Sequence, residues 1–300
     1  MVDVLEIRGL TKHFGGFAAL ADVSFSVRQG TLHSVIGPNG AGKTTLFNLL
    51  SGVLKPTAGK IFLRGRDITG LPPHRIARMG IGRAFQLTHL FPNLTVLENV
   101  RLAVQAQAAA GRELLGEPGA LGSRALGGTA ASGGPDRLAT QGPPGTPAPR
   151  KRRWPARWVM WQSEERVGPF AERAAEIVAK VGLAGKEHVP AHALSHGDQR
   201  KLDLGMALAL DPDVLLLDEP TAGVSREEVP AIVAVIEEIR REGRRTILLV
   251  EHKMEIVLNI SDRITVLQYG RFLAEGTPAE IVANPAVQAA YLGDEYGQPA

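Results

Sequence analysis

Short apolar runs alternate with longer amphipathic stretches along most of this chain. Apolar runs bounded by Gly, Pro, Asp or Asn are typical of buried strands, whereas apolar residues spaced three and four apart are typical of helices that cover a sheet. The runs predict strands at Val4–Ile7, Val23–Val27, Leu32–Ile36, Lys60–Leu63, Ile81–Ala84, Val214–Leu217, Thr246–Val250 and Arg263–Leu267. The amphipathic stretches predict a helix after Gly42 and further helices at Pro73–Met79, Val96–Ala110, Glu164–Val181, Gly197–Leu210, Arg226–Glu242 and Lys253–Ile260.

This order of elements predicts an α/β fold with one interruption. The later strands alternate with helices, which indicates a parallel sheet covered by helices, with an antiparallel portion from the N-terminal strands. Residues 111–149 contain ten Gly and six Pro among 39 positions, a composition typical of low-complexity chain. We therefore expect a long, mobile loop there. It leads into a basic stretch, residues 150–161, that holds all three tryptophans.

The bulk composition allows a large core and excludes several classes of protein. A chain of 300 residues that is 44% hydrophobic can form one large domain or two lobes around one site. Without cysteine there is no disulfide, thiol nucleophile or cysteine-ligated zinc, and the cytosol is the default expectation. Asp3 and Glu6 lie where an export signal would be basic and then apolar. The longest apolar runs are far shorter than the roughly 20 residues that cross a bilayer, so any membrane association is expected to be peripheral.

The net charge of +3 is unevenly distributed. Residues 111–163 hold eight basic and three acidic residues, a balance of +5, which leaves −2 for the rest of the chain. This distribution argues against a nucleic-acid-binding face spread over the fold. The basic, tryptophan-containing stretch fits two interpretations. It could contact anionic lipid headgroups, or it could be a solvated basic run whose tryptophans pack on neighbouring helices.

A glycine-rich stretch between a predicted strand and a predicted helix fits the pattern G-x-x-x-x-G-K-[ST]. It consists of Gly37, Pro38, Asn39, Gly40, Ala41, Gly42, Lys43 and Thr44, followed by Thr45. Such glycines let successive backbone N–H groups turn inward around phosphates, and the N-terminus of the next helix adds a favourable dipole. Lys43 is expected to reach the β- and γ-phosphates, and Thr44 to offer its hydroxyl to Mg²⁺. The stretch therefore predicts a site for ATP and Mg²⁺.

Two carboxylates, Asp218 and Glu219, end a strongly apolar predicted strand. A buried parallel strand delivers such residues at its C-terminal edge, where ligands bind in open α/β sheets. Taken alone, the pattern is equally typical of a solvated strand end. Beside the glycine-rich loop it predicts that Asp218 holds Mg²⁺ through water and that Glu219 accepts the proton of an attacking water.

Further motifs follow in the order found in ABC transporter ATPases. Leu194–Arg200 resembles the ABC signature motif L-S-G-G-Q, and His252 resembles the switch histidine. Gln86 resembles the glutamine of the Q-loop, which implies a metal ligand and catalytic residue that reports the γ-phosphate to the helical lobe. Phe14 resembles the aromatic residue that stacks on adenine, and Thr221–Ser225 occupies the place of the D-loop.

The resemblance covers residues 4–293 apart from the insertion, and it implies a fold. That fold is the P-loop NTPase fold of ABC ATPases, with a RecA-like mixed sheet core, an N-terminal antiparallel β subdomain and a helical lobe that carries the signature motif. A single ABC ATPase domain is expected over residues 1–293, with the helical lobe at about 88–205. The Gly/Pro-rich, basic insertion at 111–160 would lie within that lobe, and residues 294–300 would form a C-terminal tail.

Three positions depart from the family pattern. The signature has His196 where Gly is usual and Asp198 where Gln is usual, and the D-loop has Ser225 where Asp is common. Ser195 and Gly197 keep a hydroxyl and a backbone N–H at a helix N-terminus, so anion binding is still expected there. His196 fits either a tolerated surface residue or a residue that tunes the contact between subunits.

Flanking segments resemble the ATP-binding subunits of branched-chain amino acid importers. These segments are Phe14–Gly16, Ile76–Gln86, Leu90–Asn99, Leu248–His252 and Pro285–Gly293. The resemblance implies an ATPase that couples ATP hydrolysis to uptake of branched-chain or other hydrophobic amino acids. Alternatives are a urea or amide importer and a lipopolysaccharide-type exporter. A soluble ABC ATPase acting on nucleic acid or the ribosome fits less well, because the chain has one cassette and no sustained heptads.

The same resemblance implies a mechanism and a set of partners. ATP on one subunit would be completed by Ser195 and Gly197 of a second subunit, the same or a paralogous chain. Lys43 and these donors would stabilise the transferring phosphoryl group, while Glu219 and His252 position water. Two membrane-embedded permease subunits and, indirectly, an extracytoplasmic solute-binding protein are implied, with no nucleic acid. The expected location is peripheral, on the cytoplasmic face of the inner membrane.

Overall fold

Two sheets and nine α-helices form most of the described part of the computed structural model, which covers residues 2–84, 90–114 and 164–296. The strands are β1 (Asp3–Phe14), β2 (Phe17–Arg28), β3 (Leu32–Ile36), β4 (Ala58–Leu63), β5 (Arg66–Asp67), β6 (Ile81–Ala84), β7 (Val214–Asp218), β8 (Thr246–Val250), β9 (Arg263–Gln268) and β10 (Arg271–Gly276). The helices are α1 (Lys43–Leu50), α2 (Pro73–Arg78), α3 (Val96–Leu114), α4 (Glu164–Lys180), α5 (His196–Ala209), α6 (Val229–Arg241), α7 (Met254–Ile260), α8 (Pro278–Ala283) and α9 (Pro285–Tyr296).

A six-stranded mixed sheet forms the centre, in the order β10-β9-β3-β8-β7-β6. All neighbours in it are parallel except β10, which returns antiparallel along β9. Every residue of β3, β7 and β8 is buried, which explains the apolar runs of β7 and β8 in the sequence. β3 also buries two polar residues, His33 and Ser34. Because parallel strands end at the same edge, the loop after β3 and the carboxylates after β7 share one side of the sheet.

The two faces of this sheet contact different cores. Leu215 and Leu217 of β7 join a cluster with residues of α3, α4, α5 and α6, whereas Val214 and Leu216 join a cluster with α1 and the N-terminal strands. This split follows from the strand period of two, which sends successive side chains to opposite faces. A third, smaller cluster lies under α7, α8 and α9 and includes Ile36 at the end of β3.

The N-terminal strands form a separate antiparallel sheet, in the order β2-β1-β4-β5. β1 and β2 pair closely through the turn at Gly15 and Gly16, with Phe14 opposite Phe17. Each strand is 12 residues long, whereas the sequence predicted four residues for β1 and five for β2. The sequence prediction fell short because register shifts along the two strands interrupt the apolar alternation.

Several elements differ from the sequence prediction. Strands β5 and β10 and helices α8 and α9 were not predicted, because they are short or carry no strong periodicity. Helix α3 runs to Leu114, four residues past its predicted end and into the predicted loop. The remainder of the insertion, residues 115–160, lies outside the described residues. The α/β class, the mixed sheet and the antiparallel N-terminal portion are confirmed. In the described ranges no helix is both long and apolar enough to span a bilayer.

Candidate nucleotide-binding site

The glycine-rich loop connects β3 to α1, as predicted, and two of its glycines are required by close packing. Gly37 has φ 154°, and a Cβ there would lie 2.1 Å from the Leu267 carbonyl oxygen of β9. Gly42 has the left-handed φ of 97°, and a Cβ there would lie 2.6 Å from the Ala19 carbonyl oxygen of β2. No side chain caps α1, so the backbone N–H groups of its first turn face the loop. This is a concave set of donors suited to an anion.

Lys43 folds back over the loop at the start of α1. Its ammonium donates to the carbonyl oxygens of Gly37, at 2.6 Å, and Pro38, at 3.0 Å. The side chain is only 6% exposed. Burial lowers the pKa of Lys43 from its usual 10.5, and the nearby carboxylates of Glu219 and Asp218 oppose that effect. Lys43 thus lies at the same sheet edge as the two carboxylates.

Asp218 ends β7 with one carboxylate oxygen paired and one unpaired. Oδ2 accepts from Arg83 Nη2 at 2.6 Å, while among the described residues no donor reaches the buried Oδ1. A buried carboxylate oxygen without a partner is costly unless a ligand completes it. Oxygen is the donor atom that Mg²⁺ prefers, and Thr44, an exposed residue next to Lys43, carries a hydroxyl. These residues therefore fit a Mg²⁺ ion that accompanies the nucleotide.

Glu219 and His252 meet across the ends of neighbouring strands. Asp218 of β7 lies opposite Val250 of β8, and the backbone N–H of Glu219 donates to the Val250 carbonyl oxygen at 2.9 Å. Glu219 takes the left-handed φ of 51°, an uncommon conformation for a residue with a Cβ. Its Oε1 lies 2.7 Å from Nε2 of His252. The strained backbone aims a carboxylate at the imidazole, as an acid–base pair requires.

Glu251 also belongs to this region, although the sequence analysis missed it. It is buried, and its Oε1 accepts from the backbone N–H and the hydroxyl of Thr221, at 3.0 and 2.6 Å. Its Oε2 accepts from the backbone N–H of His252 at 3.1 Å. One carboxylate thus connects the residues after Glu219 with the histidine. An acidic residue between an apolar strand and a histidine is the only sequence signal that could have indicated it.

The signature residues lie at the N-terminus of α5, in contact with the loop before α6. Ser195 is the N-cap of α5, accepting from the backbone N–H of Asp198 at 3.2 Å. Its hydroxyl donates to Glu228 Oε1 at 2.7 Å, and Ser225 donates to Oε2 of the same carboxylate at 3.1 Å. A Cβ on Gly197 would lie 2.7 Å from Glu228 Cδ, so the carboxylate sits directly on the backbone of Gly197.

Two of the three departures from the family pattern have a clear structural role. Asp198 is buried and pairs with Lys186 and with Lys201, the latter at 3.1 Å. Burial alone would raise the pKa of Asp198, but hydrogen bonds from the two lysines outweigh it and the pKa lies below its usual value. Ser225, the second of these two residues, donates a hydrogen bond to Glu228. The third departure, His196, is exposed.

The remaining predicted residues are accounted for as follows. Phe14 ends β1 with 48% of its surface exposed, and the Lys12 ammonium lies 5.1 Å from its ring centre. The exposed part of the ring, away from Lys12, can stack on a planar group. Thr45 is half-buried in α1. Gln86 lies outside the described residues.

A phosphate-binding loop beside a buried strand that ends in two carboxylates, the second of them paired with a histidine, defines a P-loop ATPase of the ATP-binding cassette class. A family model described as ABC transporter matches residues 20–222, and one described as branched-chain amino acid ATP-binding cassette transporter matches residues 273–297. The chain therefore belongs to the ABC transporter ATPases, and within them to the family of branched-chain amino acid transport ATP-binding proteins.

Curated relatives and solved structures agree with this placement. The high-affinity branched-chain amino acid transport ATP-binding protein LivG of Salmonella typhimurium is 40% identical, covering 97% of this chain and 98% of its own. The corresponding protein BraF of Pseudomonas aeruginosa is 38% identical with the same coverage. A crystal structure of an ATP-binding cassette of an ABC transporter in its ADP conformation is 28% identical, with a TM-score of 0.71, and covers 98% of this chain and 100% of its own.

Proposed function

We propose that this chain is the ATP-hydrolysing subunit of an importer for branched-chain or other hydrophobic amino acids. The observation that carries the catalytic part is the 2.7 Å contact between Glu219 Oε1 and His252 Nε2, at the sheet edge that also presents Lys43. The substrate class is supported by relatives at 38–40% identity that are named as branched-chain amino acid transport ATP-binding proteins.

The roles of the site residues follow from their chemistry. The loop at residues 37–42 and Lys43 bind the phosphates, with Lys43 leaving its loop carbonyls for the phosphate oxygens. Glu219 takes the proton of the attacking water, and His252 orients Glu219 and the γ-phosphate. Mg²⁺, held by Thr44, Asp218 and Gln86, would neutralise charge on the phosphates when bound.

Adenine stacks on the exposed ring of Phe14. The hairpin of β1 and β2 that carries this ring also packs its Ala19 carbonyl against Gly42, so the stacking surface belongs to the same side of the molecule as the phosphate loop. Phe14→Ala should weaken ATP binding. Phe17→Ala, at a more exposed ring across the hairpin, serves as the control and should bind ATP like wild type.

A second subunit supplies the other half of each site. In the described part of the chain, the hydrogen bonds of the Ser195 side chain go to Asp198 and Glu228, and none goes to the phosphate loop. Ser195 is exposed at the N-terminus of α5, where a hydroxyl and helix N–H groups bind anions well. We therefore place Ser195 and Gly197 on the γ-phosphate of a partner's ATP, so that two nucleotides join two subunits.

The helices α3, α4 and α5 form the lobe that contacts two membrane-embedded permeases, at the cytoplasmic face of the membrane. Asn99 of α3 is buried and holds the preceding turn by donating to the carbonyl oxygens of Phe91, Leu94 and Thr95. The backbone N–H of His192, just before the signature, donates to the Pro92 carbonyl oxygen at 3.1 Å. A movement of the turn that follows Gln86 would thus be passed to the signature helix. A solute-binding protein would act through the permeases.

The decisive experiment separates binding from hydrolysis. Glu219→Gln should bind Mg-ATP with wild-type affinity and release phosphate at least about a thousandfold more slowly, because the general base is lost. Glu227→Gln, at an exposed neighbour outside the site, is the matched control and should hydrolyse ATP normally. Phosphate release by Glu219→Gln at the wild-type rate would refute the assignment.

The substrate class needs a separate test in the assembled transporter. With permeases and solute-binding protein reconstituted in vesicles, leucine, isoleucine or valine should stimulate ATP hydrolysis, while urea and short amides should not. Stimulation by urea or an amide alone would move the proposal to those importers. A relative named as a lipopolysaccharide export ATP-binding protein is only 29% identical, so export is the weaker alternative.

A further inference from the structure

Arg83, at the end of β6, joins the helix of the phosphate loop to the carboxylate that ends β7. Its Nη2 donates to Asp218 Oδ2 at 2.6 Å. Its Nη1 donates to Asn48 Oδ1 at 2.8 Å and to Ser51 Oγ at 3.0 Å, both on α1 or at its C-terminus. Its guanidinium carbon lies 5.9 Å from the ring centre of Phe47. The side chains of Arg83 and Asp218 are 9% and 1% exposed.

This arrangement fixes the orientation of the Asp218 carboxylate as well as pairing its charge. A guanidinium is planar and rigid, so two bonds to α1 and one to the carboxylate set the orientation of Oδ2 relative to α1. With Oδ2 held, Oδ1, which has no partner within the described ranges, can point in only one direction. The same α1 begins with Lys43 and Thr44. Arg83 therefore keeps the proposed metal ligand at a fixed position relative to the residues proposed to bind the phosphates.

We propose that Arg83 is the positioning residue for the metal ligand Asp218. It keeps Oδ1 directed at the Mg²⁺ that accompanies ATP. Through its bond to Oδ2, it links the Asp218 carboxylate to α1, the helix that follows the phosphate loop. This inference rests on the proposed function, because it requires that Mg-ATP binds beside Asp218. A purely structural ion pair would stabilise the fold without affecting the metal.

The test compares nucleotide binding with and without Mg²⁺ in a Glu219→Gln background, where ATP is not consumed. Arg83→Lys keeps the charge but cannot bond to α1 and Asp218 together. We expect the Mg²⁺ concentration for half-maximal tightening of ATP binding to rise at least about tenfold, as for other residues that orient metal ligands. Affinity for ATP in EDTA should change less than about twofold, since the phosphate loop is intact. Arg64→Lys, at the exposed ion pair with Asp213, is the matched control.

The outcomes separate the alternatives. A lower melting temperature with an unchanged Mg²⁺ requirement would show that the ion pair is only structural and would overturn the inference, as would equal weakening with and without Mg²⁺. If Arg83→Lys does not fold, Asn48→Ala removes one anchor of the guanidinium, leaves the ion pair, and should raise the Mg²⁺ requirement in the same direction. Failure of the parent Glu219→Gln protein to bind Mg-ATP would instead refute the proposed function.

A second inference concerns Glu228, whose carboxylate covers the signature residues. It accepts from the hydroxyls of Ser195 and Ser225 and packs on Gly197. The hydrogen bond from Ser195 is the largest of the effects that hold the pKa of Glu228 below its usual value, so the group is anionic at neutral pH. An aspartate at position 225, the residue common in the family, would place a second carboxylate against it. Ser225 is therefore compatible with this contact where Asp is not.

We infer that Glu228 is an internal competitor for the anion site of the signature motif. It satisfies Ser195 in the separate subunit, and it must leave when the γ-phosphate of a partner's ATP arrives, because two anions cannot share one hydroxyl donor and one helix N-terminus. Its departure also releases Ser225. This inference rests on the proposed composite site between two subunits.

ATP-driven dimerisation of the Glu219→Gln protein, measured by sedimentation, tests this competitor. Glu228→Ala should lower the ATP concentration for half-maximal dimer about tenfold, the effect expected from one charge-assisted hydrogen bond. Glu228→Gln, which keeps an acceptor for Ser195 without the charge, should lie between Ala and the parent. Glu227→Ala is the control at an exposed neighbouring acid. An unchanged or higher ATP requirement for Glu228→Ala would overturn the inference, whereas a parent protein that never dimerises would refute the composite site itself.

Discussion

His33 makes the stability of this fold depend on mildly acidic pH. The residue lies in β3, fully buried in the central sheet just before the phosphate loop. Its Nε2 is 2.8 Å from Thr265 Oγ1, its ring packs on Phe25, and its Nδ1 has no partner among the described residues. Burial, with a smaller contribution from the charge of Arg263, lowers the pKa of His33 from 6.5 to about 4.

The sign and size of the effect follow from this pKa. Between about pH 4 and 6.5 the unfolded chain binds a proton at His33 that the folded protein does not, so stability rises with pH in that window. The contribution is complete above pH 6.5 and is lost as the pH falls toward 4. At about 1.4 kcal/mol per pKa unit, the full loss is about 3 kcal/mol, of which about 2 kcal/mol has occurred by about pH 5.

Urea unfolding of wild type and His33→Gln, followed by circular dichroism across this pH range, measures the effect. Glutamine can still bond to Thr265 but does not titrate. Because the other ionisable groups, including Arg263 and Glu275 beside Thr265, are common to both proteins, their contributions cancel in the difference. Wild type should lose about 2 kcal/mol more than His33→Gln between about pH 7 and 5. His74→Gln, at an exposed histidine of α2, should behave like wild type.

A parallel loss of stability in wild type and His33→Gln would refute the reasoning. It would mean that the folded protein accepts a proton at His33 nearly as easily as the unfolded chain does. A steeper loss in His33→Gln than in wild type would reverse the sign and would equally contradict it.

Three further predictions concern other packed residues. Gly42→Ala should lower the free energy of unfolding by about 1–3 kcal/mol and abolish ATP binding, because φ is positive and a Cβ would meet the Ala19 carbonyl oxygen at 2.6 Å; wild-type urea unfolding would contradict this. Asn99→Ala should destabilise by about 1–3 kcal/mol through the carbonyl groups it leaves unsatisfied, whereas Asn93→Ala, at an exposed site, should not. Burial, opposed by a hydrogen bond from the Gly37 backbone, raises the pKa of Tyr291 to about 12. In absorbance measured after a rapid pH jump, before unfolding, a tyrosine step near pH 12 should therefore be present in wild type and absent from Tyr291→Phe; loss of a step near the ordinary tyrosine pKa of about 10 instead would contradict this prediction.

The residues proposed for the phosphate site could be selected from the sequence because each lies in a local pattern. The spacing of its glycines and lysine indicates the loop from Gly37 to Thr44. The apolar strand before Asp218 and Glu219 indicates those two carboxylates. The strand period of two and the helix period near 3.6 likewise fixed most elements to within a few residues. Local patterns did not predict the full length of the bulged strands β1 and β2. They also did not predict the elements β5, β10, α8 and α9.

The pairs that join distant parts of the chain were decided by the tertiary structure alone. Nothing in the sequence pairs Arg83 with Asp218. The parallel register of β6 and β7 brings the two residues together. Glu228 has no motif of its own, and only the packing of α5 against the loop before α6 sets it on Ser195. Each contact spans many residues of sequence and depends on where sheets and helices meet. Sequence determined which groups this protein carries for phosphate chemistry, and the fold decided which of them hold one another in place.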